Sequence, residues 1–184
     1  NRLVYYYREA EYLRNQNDMA AVDQLMSQIE PFLAGFDNVI PPGLFSDPVS
    51  SVPLLMLQAE RADWMLRNNR NTDQAVVLAL DVLHQIDSAP MNVTVIRDLA
   101  YRALNTQVMA LLQRAAFEPA RSLIGQLPDD CASSGYCINA LEQYYVAHGR
   151  QFWQQQNWAR TVAHYQEYLA LGLQTDNREI FASN

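Results

Sequence analysis

The chain has 184 residues, 49% of them apolar, which is enough to bury a substantial core. Its formal net charge of -7 argues against a nucleic-acid partner or an anionic membrane surface, because both require positive charge facing phosphates. All thirteen basic residues are arginine, and the absence of lysine excludes a Schiff-base lysine and the lysine of a phosphate-binding P-loop.

The first helical pair is predicted over residues 3–34, and a proline-rich connection follows it. Asn17 and Asp18 are predicted to form the turn and the helix cap between the two helices. Residues 35–53 contain four of the eight prolines, a composition that disfavours a regular helix. No apolar run in the sequence reaches the roughly 18 to 20 residues that a membrane-spanning helix needs. The residues given are therefore not expected to span a membrane.

Three more helical pairs are predicted in the rest of the chain. The second covers residues 54–88, with Thr72 as the N-cap of its second helix. The third covers residues 92–127 and the fourth residues 136–173, where Gly172 closes the last helix. The sequence therefore predicts an all-α protein of about eight helices.

The fourth pair carries a pattern of aromatic, glycine and small residues at Tyr145, Gly149, Phe152, Trp158, Thr161, Tyr165 and Tyr168. This pattern resembles the tetratricopeptide repeat family, although Tyr168 stands where that family has a small residue and needs extra room. The predicted second helices begin 53, 45 and 41 residues apart, farther than the roughly 34 residues of a regular array. The resemblance implies α-α hairpins stacked as a short solenoid, in a single domain over residues 1–184.

Charge is sorted between the two helices of each pair. Two arginines, Arg121 and Arg160, are assigned to the second helices, against eleven acidic residues: Asp18, Asp23, Glu30, Asp73, Asp81, Asp87, Glu118, Asp129, Asp130, Glu167 and Asp176. Asp18, Asp73 and Glu118 lie in first turns. Negative charge there complements the helix dipole, and the remaining acidic groups keep an outer surface soluble.

The resemblance also implies a partner-binding face on the first helices. The residues that it selects are Arg14, Trp64, Arg67, Arg102, Asn105, Arg150 and Trp153. Arginine binds carboxylates through two parallel hydrogen bonds, and both arginine and tryptophan are enriched at binding hot spots. We therefore expect a peptide or protein partner with acidic groups. Alternatively, these residues form a solvated helix face, with Trp64 and Trp153 packed between neighbouring pairs.

The two cysteines, Cys131 and Cys137, are separated by five residues in a segment between two helical patterns, and we predict a disulfide between them. A disulfide between them would place the protein in an oxidising compartment such as a periplasm. Two free thiols in a cytosolic protein are the alternative. Because the chain begins with Asn1, we expect a processed or excised chain, and an anchor or further domain would lie outside it.

No catalytic motif is recognised in the sequence, and the three histidines, His84, His148 and His164, lack metal-ligand spacing. The spacing allows His148 and His164 to face each other across the last hairpin, and a structural or surface role is expected for them. We therefore predict a non-enzymatic interaction scaffold without cofactor, metal or nucleic acid, in an extracytoplasmic assembly, secretion or regulatory system. A homo-oligomer is compatible with this prediction. The alternatives are a periplasmic sensory domain of a membrane-bound signalling or transcriptional regulator, and a helical accessory domain of a larger enzyme.

Overall fold

The computed structural model describes residues 2–37, 48–87, 94–127 and 134–172. This part of the chain contains eight α-helices and no strand, which confirms the predicted all-α class. The helices are α1 (Arg2–Asn15), α2 (Met19–Ala34), α3 (Pro48–Arg67), α4 (Thr72–Ile86), α5 (Thr94–Gln113), α6 (Phe117–Ile124), α7 (Gly135–Gln154) and α8 (Trp158–Ala170).

The chain forms two compact units, with a boundary inside α5. Unit 1 comprises Asn1–Thr106 and unit 2 comprises Gln107–Asn184. Each unit is described by itself below. The single repeat domain over residues 1–184 stays a prediction.

Each helical pair turns through the same backbone motif. One residue of each turn adopts the left-handed conformation: Asn17, Asn69, Ala115 and Gln156, with φ angles of 57°, 47°, 53° and 55°. The following N–H donates to the carbonyl five residues earlier at 2.8 to 3.0 Å: Asp18 to Leu13, Arg70 to Met65, Ala116 to Leu111 and Asn157 to Phe152. This is the Schellman arrangement that closes the end of a helix. Four turns of equal geometry constitute an internal structural repeat.

Side-chain caps start three of the four second helices. Asp18, Asn71 and Asn157 each accept a hydrogen bond from the backbone N–H three residues later. The predicted cap at Thr72 is therefore wrong by one residue, since Asn71 is the cap and Thr72 is the first helical residue. Ala116 precedes α6 without a side-chain hydrogen bond.

α3 begins six residues earlier than the sequence predicts. It starts at Pro48 and continues through Pro53, so the connection predicted over residues 35–53 is shorter than expected. Proline at a first helical position loses no hydrogen bond, because the N–H there has no intrahelical partner. Pro53 does lose one, but burial of the adjacent Leu54 and Leu55 offsets that cost.

α3 is the central helix of unit 1. It packs against α1, α2 and α4, so the first two hairpins lie side by side as in a helical solenoid. A buried apolar cluster joins α3, α4 and the start of α5 through Leu55, Ala59, Ala79, Val82, Ile86, Ile96, Leu99, Ala100 and Ala103. The alanines in this cluster allow close helix approach, while the larger residues fill the space between helices.

In unit 2, α7 packs against α6 and α8. Tyr168, which exceeds the size expected at its position, is buried against Ile138, Leu141 and Tyr145. Its hydroxyl donates a hydrogen bond to Glu142 Oε1 at 3.1 Å, so the one polar atom of this ring has a partner.

Gly149 brings α7 and α8 into close contact, since a Cβ atom there would lie 2.5 Å from the Tyr165 ring. Gly149→Ala is expected to lower the free energy of unfolding of unit 2 by about 1 to 2 kcal/mol, because Tyr165 must move. In a Tyr165→Ala background, the same change is expected to stabilise unit 2 by about 1 kcal/mol through helix propensity. Urea denaturation of the four chains measures this double-mutant cycle. An equal effect of Gly149→Ala in both backgrounds would contradict the contact.

Candidate functional site

Five of the seven predicted partner-binding residues lie in unit 1, on the first helices α1, α3 and α5. Three of the five, Arg14, Arg67 and Arg102, bind Glu60, a residue of α3 that is 2% exposed. Arg14 Nε donates to Glu60 Oε2 and Arg14 Nη2 donates to Glu60 Oε1, both at 2.8 Å. This is the paired geometry in which a guanidinium binds a carboxylate most strongly.

Arg102 of α5 joins the same carboxylate to a second one. Its Nη2 donates to Glu60 Oε2, and its Nε donates to Asp63 Oδ2 at 3.0 Å. Thr106 Oγ1 donates to the other oxygen of Asp63 at 2.7 Å. Arg102, Glu60 and Asp63 are all buried, so these bonds form with little access to water.

Arg67, at the end of α3, links the group to α2. Its Nη2 donates to Asp23 Oδ1 at 2.8 Å and to Glu60 Oε1 at 3.3 Å. Asn68 Nδ2 donates to the second Asp23 oxygen at 3.1 Å. We call the six charged residues of this group the charge cluster: Arg14, Asp23, Glu60, Asp63, Arg67 and Arg102.

The charge cluster is electrically balanced, with three guanidinium groups and three carboxylates. Burial by itself raises the pKa of Glu60, but the charges and hydrogen bonds of Arg102 and Arg14 outweigh burial and lower this pKa to about 2. Burial opposes the charge of Arg67, yet Asp23 and Glu60 raise its pKa. The arginines that were expected to bind a partner's acidic groups therefore bind carboxylates of their own chain.

Trp64 and Asn105 are also buried, contrary to the expectation of an exposed binding face. Trp64 is 2% exposed, and the Arg70 guanidinium lies 4.5 Å from the centre of its ring. Trp64 faces the protein interior because α1, α2 and α4 cover α3, and Arg102 and Asn105 are buried on α5. The burial of Trp64 agrees with the alternative that this residue packs between helices, whereas Trp153, named in the same alternative, is 53% exposed.

A second buried ion-pair group, which the sequence analysis did not predict, surrounds Arg61 on α3. Arg61 Nη2 donates to Glu30 Oε1 at 2.7 Å, and Arg61 Nη1 donates to Asp37 Oδ1. Arg61 thereby fastens the end of α2 to α3. Its Nε is buried and has no hydrogen-bond partner among the residues that the structure describes.

The other two predicted residues, Arg150 and Trp153, are exposed in unit 2. Trp153 near the end of α7 is 53% exposed, and Trp158 at the start of α8 is 51% exposed. Their rings meet edge to face, with centroids 4.7 Å apart and an interplanar angle of 82°. Arg150 precedes Trp153 by one helical turn, and Val162 follows Trp158 by one turn. We call Arg150, Trp153, Trp158 and Val162 the tryptophan patch.

The surroundings of the tryptophan patch are positively charged. Residues 143–166 contain Arg150 and Arg160 and no acidic residue. Neither arginine forms an ion pair with any residue that the structure describes. Arg160 lies 5.9 Å from the centre of the Phe152 ring. In a chain with a net charge of -7, this end of the last hairpin is a local basic surface.

The two histidines of the last hairpin face each other, an arrangement that the sequence allowed. The rings of His148 and His164 are 4.8 Å apart, Phe117 stacks on His148 at 4.6 Å, and Tyr144 Oη lies 3.0 Å from His148 Nδ1. Burial lowers the pKa of His148, and burial together with the charges of His148 and Arg121 lowers that of His164 to about 4. His164 Nε2 is buried without a hydrogen-bond partner. Both rings are therefore held as neutral core groups.

The remaining predictions concern the cysteines, metal binding and membrane-spanning helices. Cys137 is buried in the first turn of α7, whereas Cys131 lies outside the described residues, so the disulfide stays a prediction. Across the described ranges, no group of three or more His, Cys, Asp or Glu side chains has the arrangement of a metal site. None of the described helices is long and apolar enough to cross a membrane.

These observations define an all-α protein of helical hairpins, with a buried charge cluster in one unit and an exposed aromatic, basic surface in the other. The sequence matches no family model, and comparisons with curated proteins and with solved structures find no significant similarity. The tetratricopeptide resemblance therefore rests on the residues and turns of this chain alone.

Proposed function

We propose that this chain is a non-enzymatic interaction scaffold that binds a protein or peptide partner through the tryptophan patch. The observation that carries this proposal is the pair of half-exposed tryptophan rings at the turn between α7 and α8. Tryptophan exposes a large apolar surface to water at considerable cost, and it is the residue most enriched at binding hot spots. A partner that covers both rings would remove that cost.

The chemistry of the patch favours an acidic partner with apolar side chains. Arg150 and Arg160 supply positive charge without a carboxylate of the described chain beside them. A partner carboxylate would bind Arg150 without first breaking an internal ion pair. At the charge cluster, in contrast, an acidic peptide would have to displace Glu60 or Asp63 from buried hydrogen bonds. This difference favours unit 2 as the location of the proposed contact.

The repeat architecture supports the same class of function. The four turns of equal backbone geometry support the proposal that the chain is a degenerate member of the tetratricopeptide-like helical repeats. The predicted cysteine pair supports a location outside the cytoplasm, as part of an assembly, secretion or regulatory system, with any membrane anchor lying outside this chain.

Panning a displayed random-peptide library against the chain tests the proposed function. Selected peptides are expected to combine Asp or Glu with apolar residues. We expect the Trp153→Ala/Trp158→Ala variant to lose at least about tenfold in affinity for them, and Arg150→Ala to lose less but to weaken the salt dependence. Fluorescence anisotropy of a labelled selected peptide measures both effects.

A matched control is available on α1, where Tyr5 and Tyr12 are exposed aromatic residues of unit 1. Tyr5→Ala/Tyr12→Ala is expected to bind the selected peptides as well as the unmodified chain does. If the tryptophan variant binds equally well, or if no peptide is enriched, the patch is not the binding surface.

A further inference from the structure

Among the described helices, α1 and α4 each expose two large apolar side chains, in addition to those of the tryptophan patch. Tyr5 and Tyr12 lie on α1, and Val77 and Leu80 lie on α4. Val77 is 48% exposed and Leu80 is 49% exposed, and their spacing of three residues makes them neighbours on the helix surface.

The surface of α4 is acidic as well as apolar. Asp73, Val77, Leu80, Asp81 and His84 are all exposed, and their spacing of three or four residues places them on one side of the helix. We call these five residues the α4 stripe. Asp87, also exposed, continues the acidic character at the end of the helix.

The charges distinguish the α4 stripe from the exposed surface of α1. Arg8 lies between Tyr5 and Tyr12 on α1, and acidic residues accompany it, so that surface is of mixed sign. The α4 stripe instead places two carboxylates around two aliphatic side chains. This is the combination of groups that the tryptophan patch is proposed to bind.

We propose that the α4 stripe of one copy of this chain binds the tryptophan patch of a second copy. This inference rests on the proposed function of the patch and names one partner for it. Val77 and Leu80 would cover the indole rings, and Asp81 or Asp73 would bind Arg150. The contact is heterologous, since each copy contributes a different surface, so a dimer leaves the patch of one copy and the stripe of the other unused.

The size of the two surfaces sets the strength of this association. Each surface consists of a few side chains, well below the roughly 800 Å² per partner of a stable complex. The net charge of -7 on each copy also opposes association. We therefore expect a concentration-dependent equilibrium with a Kd of about 10 to 1,000 μM, in which species larger than dimers form at high concentration.

Sedimentation velocity of two complementary variants tests the contact. Val77→Ser/Leu80→Ser removes the stripe and keeps the patch, whereas Trp153→Ala/Trp158→Ala removes the patch and keeps the stripe. Each variant alone is expected to stay monomeric at concentrations where the unmodified chain associates. Mixed together, they are expected to form a 1:1 heterodimer that does not grow further. Circular dichroism verifies that both variants are folded.

Three outcomes would overturn the inference. The unmodified chain could stay monomeric at millimolar concentration, either variant could associate as the unmodified chain does, or the mixture could fail to form heterodimers. Tyr12→Ala is the control and is expected to associate normally. Peptide binding separates this inference from the proposed function. If the stripe variant binds selected acidic peptides but the unmodified chain never associates, self-association is refuted while the proposed function stands.

Discussion

Glu60→Gln is expected to lower the free energy of unfolding of unit 1 by about 3 to 5 kcal/mol. The substitution preserves the shape of the side chain and removes the charge that Arg14 and Arg102 share. Arg102 is buried, so its guanidinium would keep Asp63 as its remaining carboxylate in a site of low polarity. Leaving a buried charge with too little compensation costs more than the net stabilisation that the intact pair provides.

Trp64 provides the readout for this experiment, because it is the buried tryptophan of unit 1. In a Trp153→Phe/Trp158→Phe background, its fluorescence during urea denaturation follows unit 1 alone. Glu11→Gln is the control, since Glu11 is an exposed residue of α1 outside the charge cluster. We expect this control to change stability by less than about 0.5 kcal/mol. If Glu60→Gln lowered the free energy of unfolding by no more than the Glu11→Gln control does, the charge cluster would have little energetic importance.

The pH dependence of unit 1 provides a second check. The folded-state pKa of Glu60, about 2, lies below the ordinary value of 4.5, so the unfolded chain binds the proton more readily between these values. The stabilisation is therefore complete above pH 4.5 and is lost as the pH falls toward 2. In the Glu60→Gln variant, stability should depend less on pH in this window.

The helical pairs could be predicted from the sequence because their signals are local. Asp18 and Asn157 are cap residues beside periodic apolar positions, and both start second helices as capping rules predict. The start of α3 was missed because two prolines outweighed the buried leucines that follow them. Proline disfavours a helix interior, but it is compatible with the first position, where α3 places Pro48.

The charge cluster depends on contacts that are distant in the sequence. Glu60 is separated from Arg14 by 46 residues and from Arg102 by 42 residues, and no local pattern reveals which arginine meets a carboxylate. One signal did exist. α3 carries apolar residues around most of its circumference, which indicates a buried helix. Charged residues within such a helix, namely Glu60, Arg61 and Asp63, must be paired or hydrogen-bonded.

The tryptophan patch shows the opposite limit of sequence analysis. The sequence analysis selected Trp153 as a binding residue, whereas Trp158 entered it only as a position of the tetratricopeptide-like pattern. Both rings are half-exposed because they sit at the turn, where α7 ends and α8 begins, beyond the core around Tyr168. Exposure at the end of a hairpin depends on which elements cover it, and helical periodicity does not contain that information.

Unit 2 is expected to lose roughly 2 to 3 kcal/mol of stability between pH 6.5 and pH 4, through His164 alone. Its folded-state pKa of about 4 lies below the ordinary value of 6.5, so the unfolded state binds more protons throughout this window. The stabilisation is complete above pH 6.5 and falls as the pH falls. The ring of protonated His164 would lie 4.8 Å from the ring of His148. Its charged Nε2–H would be buried with no hydrogen-bond partner among the described residues, so protonation favours movement of this ring toward water.

The charged groups around the histidine pair have opposing effects on the pKa of His148. Arg121 of α6 and Arg160 of α8 disfavour a positive charge on His148, whereas Glu118 and Glu167 favour it. Burial among aromatic rings is the largest influence on both histidines, and hydrogen bonding to Tyr144 is compatible with a neutral His148. Protonation should therefore first loosen the packing of α7 against α8. The earliest measurable change is faster amide hydrogen exchange in these two helices.

Hydrogen exchange of the full chain at several pH values, corrected for the intrinsic rate at each pH, measures this prediction by mass spectrometry. His164→Leu removes the titrating group and fills a similar volume, so protection of α7 and α8 should change much less between pH 6.5 and pH 4.5. His84→Gln is the control, because His84 is an exposed residue of α4 and its replacement should leave the pH response of unit 2 unchanged. Equal loss of protection in the unmodified chain and in His164→Leu would assign the acid sensitivity to other groups.

The two units should respond to acid in a fixed order. His164 begins to destabilise unit 2 as the pH falls below 6.5, whereas Glu60 begins to destabilise unit 1 only as the pH falls below 4.5. Unit 2 should therefore loosen before unit 1 as the solution is acidified.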